Sequence, residues 1–384
     1  MKNTHRPRAY VLYGNHGDSP HQLGDYLEYF TQIFTSMGVD TFYSRDPVPG
    51  FLNIAIECFD ANYLQKMKRC TSVENTKFVL IATEFITGST FNAFEKSETA
   101  PAVRSNPKVP FWVKNMVNLT MWFLFPPRLR DFTVGLFPGP YLKAKELYLA
   151  QLSTPQRSPY DNKGYWSKRF LNFSRALEIA DEVWCVSPHQ VEAYRSFFVD
   201  QEIGLLPIAS WAPAPTNALQ GCLEKDVDFL FTGSVTPYRE TILKELTARG
   251  YKVVLGTAIW PTLMRENFIA RAKICLHIKQ DPNWKYPSIM RYHYLLCAGA
   301  LVVAEESLEH CMQEDFLTLS SPQNFVSTCE RLIKESNFLE KGDSASRRYY
   351  DASASAREET CKMLSKYFKN GAKINVLEPS HSHG

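Results

Sequence analysis

Hydrophobic and polar residues alternate along the first half of the chain in a pattern that predicts strands followed by amphipathic helices. A short apolar run at 9–13 leads into a polar, glycine-containing loop. Beyond it, Leu23, Leu27, Phe30 and Phe34 recur at spacings of three and four, typical of one buried helix face, and Gly38 ends the pattern. Because strands and helices alternate, we expect a mostly parallel sheet. Further strands are predicted at 41–44, 53–58, 78–83, 182–187 and 203–206, and helices at 61–69, 170–180 and 188–198, the last with Ser187 as its N-cap.

The same alternation restarts after a proline-rich stretch, WAPAPTN at 211–217, which has the composition of an interdomain linker. We therefore expect two domains, residues 1–212 and 222–375, with the last helix packing back on the first domain. An aromatic and proline-rich insert at about 88–160 interrupts the first domain. In the second domain, strands are predicted at 227–232, 251–256, 274–278 and 300–304, and helices at 240–249, 265–272, 288–298 and 354–368.

The composition is that of a globular protein. The 384 residues are 45% hydrophobic and 22% charged, enough for two folded cores. A net charge of +3 suits a small anionic ligand or a membrane surface, but it is too small to indicate nucleic acid. The nine cysteines form no CxxC pair, and we expect them to be reduced. With no signal-peptide pattern and no run of about 18 apolar residues, the sequence predicts a cytoplasmic protein.

The aromatic stretch at 111–125 has three interpretations. It forms a buried helical hairpin, an acceptor pocket, or a peripheral contact with the inner face of a membrane. Basic residues in and around it, such as Lys114 and Arg128, suit an anionic bilayer surface. Burial within the fold is favoured, because aromatic and leucine side chains usually pack.

Two segments of the second half carry candidate chemistry, and the first is the turn FTGSVTPYR at 231–239. It follows a predicted strand and precedes a predicted helix. Small residues there, Gly233 and Ser234, let backbone N–H groups approach a phosphate, and the helix N-terminus adds positive potential. Arg239 would add further positive charge. The alternative is an ordinary tight turn with a surface arginine.

The second segment is 286–305, where an extended loop enters an apolar helix that Gly299 ends. Arg291 lies in the first turn of this helix, near the carboxyl edge of the predicted sheet. Its planar guanidinium suits a diphosphate, and ligands of open α/β sheets bind at that edge. The alternative is a salt bridge to a neighbouring carboxylate.

Together these segments resemble the C-terminal domain of GT-B glycosyltransferases, especially the group that includes the CgeB-like spore-maturation proteins. The resemblance lies in FTGS with the following VVLG, and in PSIMRYHYLLCAGALVVAEE. The resemblance implies an α/β fold with two Rossmann-like domains facing across a cleft, the second holding a nucleotide sugar. Arg291 and Gly299 match the family's diphosphate-contacting Arg and its Gly. Where the family has a Glu that contacts ribose, this chain has Tyr294. That contact then comes from the Tyr294 phenol, from Ser288 or from Glu305.

The acceptor would be presented by the N-terminal domain. Its first loop offers His16 and Asp18, and Glu84 follows a predicted strand. Each is a candidate base that accepts a proton from an acceptor hydroxyl in an inverting displacement. The alternatives are backbone N–H donation from the first loop and a helix-capping role for Glu84. The chain has no clear Glu-x7-Glu of the retaining type, so retention and inversion both stay open. It has no DxD in a suitable loop, and no metal is expected.

The sequence thus predicts a metal-independent glycosyltransferase with no cofactor beyond its nucleotide-sugar substrate. It would transfer a sugar to a glycan, lipid-linked or other hydroxyl acceptor, in glycan or cell-surface polysaccharide biosynthesis. The main alternative is a non-catalytic nucleotide- or glycan-binding subunit with the same fold. A sugar-nucleotide epimerase of the GT-B type is another.

Overall fold

The computed structural model describes residues 6–13, 23–56, 60–92, 163–256 and 262–368. The predictions for His16, Asp18 and the aromatic stretch 111–125 fall outside these ranges, as does most of the insert at 88–160. The described residues form two parallel sheets and one short antiparallel hairpin.

The N-terminal sheet has six parallel strands, paired in the order β2-β1-β3-β4-β7-β8. Parallel neighbours need crossover connections, and helices supply them. The strands are β1 (Arg8–Leu12), β2 (Asp40–Ser44), β3 (Leu52–Ile56), β4 (Lys77–Ala82), β7 (Glu182–Cys185) and β8 (Ile203–Leu205), and the hairpin consists of β5 (Ile86–Thr87) and β6 (Thr90–Phe91). The α-helices of this half, within the described residues, are α1 (Gly24–Ser36), α2 (Ala61–Cys70), α3 (Lys163–Leu177) and α4 (Val191–Phe197).

Both faces of this sheet are buried, because successive side chains of a strand point to opposite sides. Ile54 and Val79 belong to the core that contains Phe30 of α1. Leu80, the next residue along β4, belongs to the core that contains Phe173 of α3. This two-sided burial explains why the strands are nearly continuous apolar runs, as expected of a parallel sheet covered by helices.

The C-terminal sheet repeats this plan with five parallel strands in the order β10-β9-β11-β12-β13. The strands are β9 (Val227–Thr232), β10 (Val253–Gly256), β11 (Ala272–His277), β12 (Val302–Glu305) and β13 (Thr318–Ser320). Helices α5 (Pro237–Ala248) and α8 (Phe325–Ile333) pack on one face, and α6 (Thr262–Arg271) and α7 (Ile289–Cys297) on the other. The predicted α/β fold with two Rossmann-like domains is confirmed.

The two sheets are joined through direct packing of α1 on α7. The ring of Tyr29 in α1 lies edge-on to that of His293 in α7, with centroids 5.1 Å apart. The Tyr29 hydroxyl donates to the carbonyl of Pro207, at 2.9 Å, in the segment that connects the domains. The next carbonyl, of Ile208, accepts from the Tyr349 hydroxyl at 3.2 Å. Buried polar groups of both halves therefore hold this connection in place.

The last two α-helices of the described residues are α9 (Phe338–Ala352) and α10 (Ala354–Ser365). Past α10, Phe368 lies in the core around α1, with its ring centroid 6.1 Å from that of Phe34. The α9 helix approaches the end of α7 at backbone contact. A Cβ atom at Gly342 would lie only 2.1 Å from the carbonyl oxygen of Gly299. Gly342 therefore permits this close packing. Gly299 ends α7 with a φ of 72°, and a Cβ atom there would lie 2.9 Å from Cβ of Pro215.

Several helix starts differ from the sequence prediction, including those of α3 at Lys163 and α6 at Thr262. The α5 helix begins at Pro237, not at 240, because the Thr236 side chain caps it and proline is tolerated in the first turn. The predicted helix at 188–198 is a single 3-10 turn, Pro188–Gln190, followed by α4. Ser187 occupies the N-cap position of this turn, as predicted, but its side chain makes no capping hydrogen bond. The side chain of Gln190 instead accepts from the Ile86 N–H, at 2.7 Å, which ties the turn to the hairpin.

Candidate anion-binding site at the edge of the C-terminal sheet

The carboxyl edge of the C-terminal sheet collects several of the predicted donor-site residues. Gly233 follows β9, His277 ends β11 and Glu305 ends β12. His277 pairs with Ala304, and β11 lies between β9 and β12, so His277 lies between the Gly233 turn and Glu305. Helices that follow parallel strands begin at this edge, and their N-termini favour anions.

The structure brings Gly233 and Arg291 together from distant parts of the sequence. Gly233 has a φ of 136°, in a region that glycine tolerates and other residues rarely adopt. A Cβ atom there would lie 3.0 Å from Nη2 and 3.3 Å from Cζ of Arg291. Glycine therefore permits the close approach of the guanidinium. The Gly233 N–H donates to the carbonyl of Gly256 at 2.9 Å, so it is engaged within the sheet.

The side chain of Arg239 forms hydrogen bonds with the same turn. Its side chain is 3% exposed, and its Nη1 donates to the carbonyl of Ser234 at 2.8 Å. Its Nε lies 2.8 Å from the carbonyl of Ile278 and 3.1 Å from that of Lys279. Arg239 thus clamps the turn after β9 to the end of β11. Ser234 itself is exposed, so its side chain lies at the surface of the turn.

Glu305 is fully buried at the end of β12 and has two hydrogen-bond donors. Its Oε2 accepts from the N–H of Lys279 at 2.6 Å, and its Oε1 accepts from the hydroxyl of Tyr238. Burial raises the pKa of Glu305, and burial also raises the pKa of Tyr238. One carboxylate oxygen therefore holds the loop after β11, and the other holds α5. The ribose contact of Glu305 stays a prediction.

His277 is enclosed by cationic side chains. It is 3% exposed, and the Tyr292 hydroxyl lies 3.3 Å from its Nδ1. Burial, followed by the positive charges of Arg291, Arg239 and Lys279, lowers the pKa of His277 well below its usual range. The imidazole is therefore neutral at neutral pH. Three permanent cations around one neutral ring give this edge of the sheet an excess of positive charge.

Ser288 and Tyr294 lie at opposite ends of the α7 segment. Ser288 is the half-buried residue before α7, and its side chain makes no capping bond. Tyr294 is 8% exposed, and the guanidinium of Arg265 lies 4.0 Å from its ring centroid. That distance is typical of a cation–π contact. Tyr294 is thus packed against a neighbouring helix of its own domain.

The Tyr294–Arg265 contact extends into an ion cluster between the domains that sequence reasoning missed. Arg265 of α6 pairs with Asp25 of α1 at 2.6 Å. Burial, together with the negative charges of Glu266 and Asp25, raises the pKa of Glu28 to about 6. Arg265 is therefore the cation that offsets several carboxylates at this interface. No local pattern could have revealed the cluster, because its members come from different domains.

Glu84, the candidate base of the N-terminal domain, is held by two partners. Its Oε1 pairs with Arg169 at 2.6 Å, and its Oε2 accepts from the Asn92 side chain at 2.6 Å. The next residue, Phe85, stacks on Tyr286 with ring centroids 4.5 Å apart and an interplanar angle of 12°. Phe85 also meets Trp284 edge-on at 5.6 Å. The loop after β4 thus contacts the loop before α7 across the domain boundary.

No family model matches the chain, and no curated protein matches it. Among solved structures it is similar to the pneumococcal O-GlcNAc transferase GtfA in complex with UDP and GlcNAc, with 10% identity over 82% of this chain and 57% of that chain and a TM-score of 0.42. It is also similar to an S. aureus TarM mutant in complex with fondaparinux, alpha-GlcNAc-glycerol and UDP, with 10% identity over 84% of this chain and 55% of that chain and a TM-score of 0.39.

A third similar structure is the N-terminal domain of Candida albicans trehalose-6-phosphate phosphatase, with 11% identity over 96% of this chain and 98% of that chain and a TM-score of 0.39. The chain spans little more than half the length of the two transferases. The α/β fold is defined by the parallel strand order of the two sheets and by the helices that pack on their faces.

Within the residue ranges that the structure describes, no helix is long and apolar enough to cross a membrane. Within the same ranges, no group of at least 3 His, Cys, Asp or Glu side chains could hold a metal ion.

Proposed function

We propose that the protein is a glycosyltransferase that binds the diphosphate of a nucleotide sugar at the carboxyl edge of the C-terminal sheet. The observation that carries the proposal is the contact of Arg291 with Gly233, where a Cβ atom would lie 3.0 Å from Nη2. A glycine in a strained turn that admits a guanidinium fits a site for a doubly charged ligand group. Lys279 and Arg239 add positive charge around it.

Arg291 would act on the departing group. When the bond between sugar and diphosphate breaks, negative charge grows on the diphosphate. A fixed guanidinium, already in place, stabilises that charge without reorganising. Arg239 has a different role in this proposal. Because its N–H groups are directed at carbonyls of Ser234, Ile278 and Lys279, it positions the turn and contributes a background field.

The N-terminal domain would position the acceptor hydroxyl across the domain boundary, where Phe85 contacts Tyr286. Glu84 can serve as the base only by sharing its carboxylate with Arg169, since the two lie 2.6 Å apart. Glu84, Asp18 and His16 are the candidates for proton acceptance in an inverting displacement, and a retaining route is the alternative.

The proposal is tested with a panel of UDP-, GDP-, ADP- and CMP-sugars. We expect at least one to raise the melting temperature of the full chain, as ligands that bind only the folded state do. That donor should then release its nucleotide when candidate glycan or lipid-linked acceptors are added. Binding without turnover under every condition would favour a non-catalytic subunit. Conversion of the donor sugar without acceptor would identify an epimerase. Absence of any binding would overturn the proposal.

A further inference from the structure

His277 carries a buried polar atom that the surrounding protein does not satisfy. Its side chain is 3% exposed, and Nε2 has no hydrogen-bond partner within the described part of the chain. Buried polar atoms in native proteins are nearly always paired, since leaving one unpaired is costly. The unpaired nitrogen is therefore free to accept a partner from outside the protein.

The position of the ring shows where that partner would lie. His277 is the last residue of β11, and it lies on the same face as Cys275, in the core beneath α7. Arg291 belongs to α7, and it is the charged residue that acts most strongly on the His277 ring. The Arg291 guanidinium in turn touches Gly233. His277, Arg291 and the Gly233 turn thus lie at one edge of the sheet.

Tyr292 sets the orientation of the ring. It is fully buried, its ring meets the imidazole edge-on at a centroid distance of 4.6 Å, and its hydroxyl lies 3.3 Å from Nδ1. When the Tyr292 hydroxyl donates to Nδ1, the proton of the neutral ring must be on Nε2. In that tautomer the unpaired atom is an N–H donor placed among cations, which suits an oxyanion acceptor. The ring also has a hydrogen bond to the backbone of His277 itself, which would compete for the ring proton.

We infer that His277 contacts the ligand, with its Nε2–H donating to an oxygen of the bound diphosphate, next to Arg291. The inference rests on the proposed function in naming the diphosphate. It goes further in assigning His277 to the binding site and Tyr292 to the positioning of its ring. A neutral donor adds direction to the site, whereas the cations around it supply attraction.

The test compares His277→Phe and His277→Gln by calorimetric titration with UDP, GDP, ADP, CDP and inorganic pyrophosphate. For each probe that binds wild type, we expect His277→Phe to raise Kd about 10-fold, the value of one hydrogen bond. His277→Gln, which keeps an amide donor, should lose less. His310→Phe is the matched control, because His310 is an exposed histidine of the same domain and pairs with Asp315, and its Kd should equal that of wild type.

Nitrogen NMR of the wild type, with 15N-labelled histidine, keeps the inference testable if the variants fail to fold. We expect a neutral, non-titrating ring whose protonated nitrogen is Nε2 and whose signal moves when pyrophosphate saturates the protein. Tyr292→Phe should perturb the same signal. Unchanged Kd in a folded His277→Phe variant, or a ring with its proton on Nδ1, would overturn the inference.

Different results would contradict the proposed function and the assignment of His277 to the binding site. If wild type binds pyrophosphate and His277→Phe weakens that binding, but no nucleotide sugar is bound or used, the proposed function is wrong and the His277 assignment stands. If nucleotide sugars bind and react equally well with both proteins, the His277 assignment alone is wrong. If wild type binds none of the probes, both are wrong.

Discussion

Replacing Arg291 with alanine is expected to raise the Kd of the nucleotide-sugar donor about 10- to 100-fold, because a charge-assisted hydrogen bond contributes about 1.5–3 kcal/mol. The guanidinium lies against Gly233, at the edge where Lys279 and Arg239 add positive charge. Arg291 itself is only half-buried, so the fold should survive its removal. The Kd is measured by calorimetric titration, with circular dichroism to confirm that the variant is folded.

Two further variants separate charge from geometry at this position. Arg291→Lys keeps the positive charge and loses the planar, two-pronged donor, so we expect a Kd between those of wild type and Arg291→Ala. Arg249→Ala is the matched control. Arg249 pairs with Glu245 and Glu330 on the surface, at the C-terminal end of α5 and away from the site. Equal affinity in wild type and Arg291→Ala would show that the arginine does not hold the diphosphate.

Replacing Arg265 with methionine is expected to lower the free energy of unfolding by about 1–3 kcal/mol, because its ion pair with Asp25 is only partly buried and so contributes more than an exposed pair and less than a fully buried one. The side chain of Arg265 is 14% exposed and lies 2.6 Å from the carboxylate of Asp25. It also offsets the charge of Glu28, whose pKa is already raised to about 6. Without Arg265 these carboxylates are left unpaired between the domains. Urea unfolding at neutral pH measures the change.

A lower pH should reduce the loss of stability caused by Arg265→Met. Protonation of Glu28 begins near pH 6, because burial and the neighbouring carboxylates raise its pKa. The difference between wild type and Arg265→Met should therefore shrink as the pH falls from 7 toward 5. The control is Arg331→Met, an exposed residue whose ion pair with Glu335 should contribute about 0.5 kcal/mol or less. An Arg265→Met variant as stable as this control would mean that the cluster does not hold the domains together.

Sequence patterns predicted the two segments that the structure brings together at the carboxyl edge of the C-terminal sheet, because each segment is short and local. The glycine turn after a strand and the arginine at the start of a helix are both visible in the order of residues, and parallel topology brings them to one edge. The start of α5 could also have been predicted from the sequence. Thr236 followed by Pro237 is an N-cap signature, and it should have been given more weight than the loop-like composition of residues 233–239.

The roles of Arg239 and Glu305 depend on partners that no local pattern specifies. Arg239 is bonded to backbone carbonyls after β11, and Glu305 accepts from the N–H of Lys279 and the Tyr238 hydroxyl. These bonds form only when β9, β11 and β12 lie side by side. From sequence, a buried arginine that supports a turn and an arginine that binds a ligand look the same.

The role of Tyr294 also depends on residues far away in the sequence, some of them in the other domain. The family resemblance puts a ribose-contacting Glu at this position, and a tyrosine could have replaced its hydrogen bond. In the structure the Tyr294 ring lies beneath Arg265, which in turn reaches Asp25 of the other domain. The substitution belongs to an interface whose other members are far away in the sequence. Its ribose contact stays a prediction.

The central claim is that the carboxyl edge of the C-terminal sheet binds the diphosphate of a nucleotide sugar. Calorimetric titration of the full chain with a nucleotide sugar, its nucleoside diphosphate and the bare nucleoside tests it most directly. We predict that the first two bind with similar affinity, that the nucleoside binds about 100-fold more weakly, and that Arg291→Ala removes most of the difference. Equal affinity for nucleoside and diphosphate, or an unchanged difference in Arg291→Ala, would contradict the claim.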